Sequence, residues 1–109
     1  MSFARVTNAL LRVSPISGPL PEGFDYPHST MDFAVLELGG DVSLGDLCGH
    51  VERALADHSA FLASAKAQGS SITLFVEFNR EHPVIDFDHD FLRLLVDAGA
   101  SLECLQAGD

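Results

Sequence analysis

Hydrophobic and polar positions alternate or recur along this chain in ways that divide it into seven regular elements, the second helix among them, and one long loop. Residues Phe3 to Val13 alternate well enough for a strand, although Leu10 and Leu11 adjoin and imply that both faces are partly covered. A second strand runs from Met31 to Leu38, with Met31, Phe33 and Val35 on one side and Ala34, Leu36 and Leu38 on the other, and Gly39-Gly40 ends it. Ser43 has the character of a helix N-cap, with Asp46 three residues on. Leu44, Leu47, Cys48, Val51 and Leu55 then fall on one helical stripe, opposite Asp46, His50, Arg53 and Asp57. Gly45 and Gly49 inside this helix cost about 1 kcal/mol each relative to Ala, and small residues there suggest a close approach to the sheet. A break near Asp57-His58-Ser59 is expected before a second helix over Ala60 to Lys66, closed by Gly69. Ile72, Leu74, Val76 and Phe78 alternate with Thr73, Phe75, Glu77 and Asn79 in the clearest strand of the chain. Asp88 is placed to cap a third helix with the stripe Phe91, Leu94, Leu95 and Ala98, ended by Gly99. Ala100 to Gln106 forms the last strand, with Leu102 and Cys104 facing in.

The order β-β-α-(α)-β-α-β predicts a single α+β domain over residues 1–109. The expected architecture is a two-layer sandwich with a mostly antiparallel four-stranded sheet, ferredoxin-like or related. Residues 14–30 hold four of the five prolines and form a Pro/Gly-rich loop. Phe75, with Leu11, Val13, Leu36 and Leu38 assigned to a second sheet face, makes that face too apolar to stay solvated. Either the loop or a second copy of the chain is expected to cover it, and a homodimer is favoured.

Composition changes this picture little, and charge changes it more. With 109 residues and 47% apolar residues, the chain has the makings of one core. Sixteen acids against six bases leave a net charge of −10, which repels phosphate backbones and anionic lipid. Nucleic acid and membrane are therefore not expected partners, and a basic protein is the complementary one. No stretch reaches the ~18 apolar residues that span a bilayer. Arg5, Thr7, Asn8 and Arg12 also break any signal-peptide core. Cys48 and Cys104 form no CxxC pair and read as reduced, buried thiols in a cytoplasmic protein.

From Ser43 to Gln106 the chain resembles a family of small bacterial proteins known only as a domain of unknown function. The resemblance lies in the capped helix from Ser43-Leu44, the short helix ending at Gly69, the strand Ile72 to Phe78, the helix Phe91 to Ala98, and the ending Gly99-Ala100-Ser101-Leu102-Glu103. The Pro-rich N-terminal third departs from it. That family supplies no catalytic residues, and some relatives look like immunity proteins of bacterial toxin systems.

Short motifs for catalysis are missing. Gly40 and Gly45 have the separation of a phosphate-binding loop, but Asp46 and Leu47 stand where Lys and Ser/Thr would hold phosphate and Mg²⁺. No GxSxG, HExxH or paired-Cys zinc pattern occurs. No catalytic or cofactor-binding residue is assigned and no cofactor is expected, so whether the chain is an enzyme stays open, with the balance against. His82, Asp86, Asp88 and His89 are the candidate metal ligands of the densest polar cluster. The plainer reading gives Asp88 a cap, Asp90 a place in the first helical turn and His82 an exposed turn. His50 and His58 stand on the outer helical face, about 12 Å apart if the helix is straight, too far to share one metal.

In the Pro-rich loop, Phe24, Tyr26 and His28 are candidates for partner contact, because aromatic anchors dominate interfaces. Packing of Phe24 and Tyr26 as local core plugs is the preferred reading of this pair, and partner contact is the alternative. Two functions follow. The first is a non-enzymatic binding protein, immunity-type, acting by protein–protein contact. The alternative is a small ligand- or metal-binding domain or enzyme with a pocket under the 14–30 loop, built on Asp25, His28 and the His82–Asp90 region.

Overall fold

A computed structural model describes residues 5–16, 18–26, 32–78, 87 and 89–106. The elements are β1 (Arg5–Ser14), β2 (Phe24–Asp25), β3 (Ala34–Gly39), β4 (Val42–Ser43), α1 (Leu44–Asp57), α2 (Ser59–Ala67), β5 (Ser71–Phe78), α3 (His89–Ala98) and β6 (Ala100–Gln106). The fold is α+β, but the sheet has six strands rather than four. The two additional strands are two-residue pieces: β2, from within the Pro-rich loop, on β3, and β4, after the Gly39-Gly40 turn, on β1. The main path is β2-β3-β1-β5-β6, antiparallel except for the β5–β6 pair. The sheet is therefore mixed, because α3 carries the chain back to the same end before β6 begins. Among the described residues no helix lies between β1 and β3, so the order there departs from the β-α-β-β-α-β of ferredoxin-like folds.

Strand β1 lies antiparallel to both β3 and β5, so β3 and β5 run parallel and α1–α2 cross over β1. The α3 crossover steps the same way across the sheet. Right-handed crossovers in one direction put their helices on one face. In accord with this, α1, α2 and α3 all touch one another.

Under the helices, Val6, Ala9, Leu11 and Val13 of β1 meet Ala34, Leu36 and Leu38 of β3 and Ile72, Leu74, Val76 and Phe78 of β5, all buried. The expectation that Leu11, Val13, Leu36 and Leu38 share the open face with Phe75 is thus corrected: these four lie under the helices, and Phe75 points the other way. An irregularity between Val6 and Asn8 shifts the register of β1 by one residue. It keeps Val6 and Ala9 on the same face and blurs the period of two on which the reading relied.

Helix α1 starts where Ser43 caps it: the Asp46 N–H donates to Ser43 Oγ at 3.2 Å. It buries Leu47, Val51, Ala54 and Leu55 and half-buries Cys48. Gly45 and Gly49 are exposed, and a Cβ on either would meet nothing within 4 Å. They do not mediate the approach to the sheet suggested by the sequence. The close approach is at Gly40, where a Cβ would stand 2.6 Å from the Thr7 carbonyl oxygen. The break between α1 and α2 falls on His58, whose N–H still donates to Ala54 O while its carbonyl accepts from Leu62 N–H. Among the described residues, Phe87 stacks on Phe91 at 5.2 Å and meets Phe78 at 6.2 Å, closing one end of the core.

Candidate functional site

Each side chain singled out by sequence has a definite place or lies outside the described residues. Phe24 is 5% exposed, paired through β2 with Leu36 and packed against His58 (5.1 Å, edge-on) and Phe61 (5.0 Å). It fills the chain's own core and has no surface to offer a partner. Tyr26 is half-buried, and its hydroxyl donates to the Gly18 carbonyl at 2.8 Å, tying the loop to itself. Asp25 is exposed. His28, His82, Asp86 and Asp88 lie outside the described residues. His89 is the exposed first residue of α3. Among the described residues, no three His, Cys, Asp or Glu side chains are grouped to hold a metal ion. His50 and His58 are not a bare outer pair. His50 Nδ1 lies 3.1 Å from the Leu38 carbonyl, and His58 is half-buried at the helix junction.

The cysteines also differ from expectation. Cys48 is half-buried and Cys104 exposed. Cys104 pairs in register with Val76 and so belongs to the covered side, but it lies on the edge strand, where the helices shield it little. Partial desolvation still pushes its thiol above the ordinary value.

Three concavities built from described residues differ in character. The side of the sheet that no described helix covers, bare in that sense, holds a hollow of about 130 Å³ bordered by Leu10, Phe75, Glu77 and Leu105. Nearby, Thr7 Oγ1 donates to the Glu77 carboxylate at 2.7 Å, and the Arg12 guanidinium lies 4.8 Å from the Phe75 ring centre and 5.9 Å from that of Phe33. On the helical side, a cleft of about 160 Å³ between α1 and α3 is bordered by Cys48, Glu52, Asp90, Phe91 and Leu94. It shares Glu52 and Leu94 with a larger trough of about 530 Å³, so the two read as one channel between α1–α2 and α3.

That channel is the candidate site. Leu55 and Leu62 are its buried floor, Leu94 and Ala98 are half-buried, and Ala56, Ser59, Ala63 and Val96 form exposed walls. Glu52 and Asp97 stand exposed on the rim. Lys66, the cation of the larger trough, donates to the Gly99 carbonyl at 2.9 Å. Gly99 has φ +69°, and a Cβ there would run into the Lys66 side chain, so glycine serves both the helix end and this latch.

The site is not legible in the sequence because Leu55, Leu94 and Ala98 read there as core stripe, and only the packing of the helices brings them to a channel. One signal was available: Val96 stands on α3 off the Phe91-Leu94-Leu95-Ala98 stripe and is 73% exposed. What the channel offers chemically is apolar area with an acidic border. Among the described residues, no helix is long and apolar enough to cross a membrane. Comparison with known protein families, with curated proteins and with solved structures finds no match to the chain in any of the three.

Proposed function

We propose that this chain is a non-enzymatic, cytoplasmic binding protein that engages a basic protein partner through the channel between α1–α2 and α3. The observation that carries the reading is the pairing of a leucine floor with exposed Glu52 and Asp97 on a chain of net charge −10. Apolar area supplies affinity, and the acidic field draws in positive charge and repels nucleic acid and anionic lipid. An immunity-type role, implied by the resemblance of 43–106 to small bacterial proteins, is one form of this function. The frame we propose is a two-layer sandwich related to the ferredoxin-like one, with one face helical and the other bare.

The test is to recover the partner with the full chain as bait, purify it, and titrate it against the chain at low and high salt. The expected partner is basic, with affinity falling at least about tenfold as salt screens the rim charges. An acidic partner, or one indifferent to salt, contradicts the proposal.

A second reading is a homodimer through the bare sheet face, favoured by Leu105, which is 51% exposed beside Leu10 and Phe75. Exposed Glu37 and Glu103 on the same face, and −10 on each copy, oppose it. Sedimentation at low and high salt decides: a dimer strengthened by salt supports the second reading, and a monomer at both removes it.

A further inference from the structure

From the geometry of the channel we infer that the partner presents an amphipathic α-helix, with apolar residues on one face and Lys or Arg flanking them. The inference rests on the protein-binding function proposed above and specifies what that binding surface takes.

Secondary structure in the walls selects the occupant. Both sides of the channel are helices, whose backbone donors and acceptors are used internally. At the α1–α2 junction and just after α3, His58 and Gly99 already have partners. His58 N–H donates to Ala54 O and His58 O accepts from Leu62 N–H. Gly99 N–H donates to Val96 O, and Gly99 O accepts from Lys66 Nζ. An extended peptide laid here would find no ladder and would leave its own amides to water or unpaired. A helix satisfies its backbone itself and needs from the channel only apolar contact.

Shape and charge narrow the choice further. Exposed walls at Ala56, Ser59, Ala63 and Val96 leave the channel open along its length, unlike a pocket that encloses most of a small ligand. Small side chains at Ala56, Ser59 and Ala63 on one wall leave room for the ridge of a third helix between the other two. On the opposite wall, Val96 is 73% exposed and supplies the apolar contact that such a ridge would cover. Glu52, Asp90 and Asp97 border the two parts of the channel, and the Lys66 ammonium is held on the Gly99 carbonyl. The rim is therefore complementary to cations, and a second copy of a chain carrying −10 is the wrong occupant.

The test uses the full chain and three synthetic peptides of equal length. The first is a Leu/Lys sequence with leucines at helical spacing, the second has the same composition with a central proline, and the third is its Leu/Glu twin. Two variants accompany the chain. Ala63→Arg puts a cation into the channel from an exposed helical position, and Ser101→Arg adds the same charge at an exposed position on the opposite sheet face. Binding is read by fluorescence anisotropy, with circular dichroism confirming that each variant is folded. The expected result is binding of the Leu/Lys helix, at least about tenfold weaker for the proline peptide and undetectable for the Leu/Glu twin, with Ala63→Arg weakening it far more than Ser101→Arg. If the proline peptide binds as well as the helix while Ala63→Arg still weakens both, the helical occupant is wrong and the channel as a protein-binding surface stands. If no peptide binds, or the two variants weaken binding equally, the helical inference fails. If the basic partner recovered by the full chain is also indifferent to Ala63→Arg, the channel fails with it.

Discussion

The two faces of the central sheet are built from the same strands and meet opposite fates. On the covered face, Leu74 and Val76 of β5 and Leu11 and Val13 of β1 are buried to within 1%. One residue over, on the bare face, Arg12, Thr73, Phe75 and Glu77 are half-buried, and Glu37 and Glu103 are exposed. The difference teaches that apolar content alone does not choose the covered face. Leu10, Val35 and Phe75 are as hydrophobic as their neighbours. The described helices leave their face uncovered because both crossovers send them to the other side, and Glu37 and Glu103 stay exposed on it because burying a carboxylate without a partner is costly.

The sharpest way to break this comparison is a matched pair of truncations on β5. Leu74→Ala is expected to lower unfolding free energy by about 2–5 kcal/mol, because it opens a cavity in a closed core. Phe75→Ala, one residue away, is expected to lose only about 1 kcal/mol, from partial burial and the Arg12 contact. Urea melts measure both, and equal losses would mean that the bare face is covered in solution. At the turn that joins β3 to β4, Gly40→Ala drives a Cβ against the Thr7 carbonyl and is expected to destabilise by about 1–3 kcal/mol in the same melts. No loss would show that β1 does not approach the turn closely. Gly49→Ala sharpens the contrast from the helical side. With open space around it, the alanine is expected to raise stability by about 0.5–1 kcal/mol, whereas a loss would place Gly49 against another part of the chain. The smallest effect marks where the helical cover stops. Cys104 has a raised thiol pKa, so its reactive thiolate is scarce at neutral pH and grows as pH rises past the ordinary cysteine range. Iodoacetamide alkylation in a Cys48→Ala background should be slow at neutral pH and climb steadily above it. A rate already at its plateau near neutrality would contradict the shift.

Legibility in the sequence followed how local each cause is. Ser43 as a cap, the break beside Asp57 and the alternation from Ile72 to Phe78 all arise within a few residues, and each is visible in the chain. The face of β1 was not, because the irregularity at Val6/Asn8 changes parity without any Gly or Pro to announce it. Likewise, β2 and β4 are too short to leave a period. Phe24 reads in the sequence as a local core plug, and the β2–β3 pairing supplies the partners that hold it inward. The channel depends on how three helices separate above the sheet, a tertiary outcome. Off-stripe Val96 was its one trace in the sequence.

Binding is proposed on the helical layer and not on the opposite sheet face. Amide chemical-shift mapping of the labelled chain with the Leu/Lys helix tests this in one titration. Shifts concentrated at Ala56, Ser59, Ala63, Val96 and Gly99 are the expected result. Shifts concentrated at Thr73, Phe75, Ser101 and Glu103, with the helical residues unmoved, would contradict it.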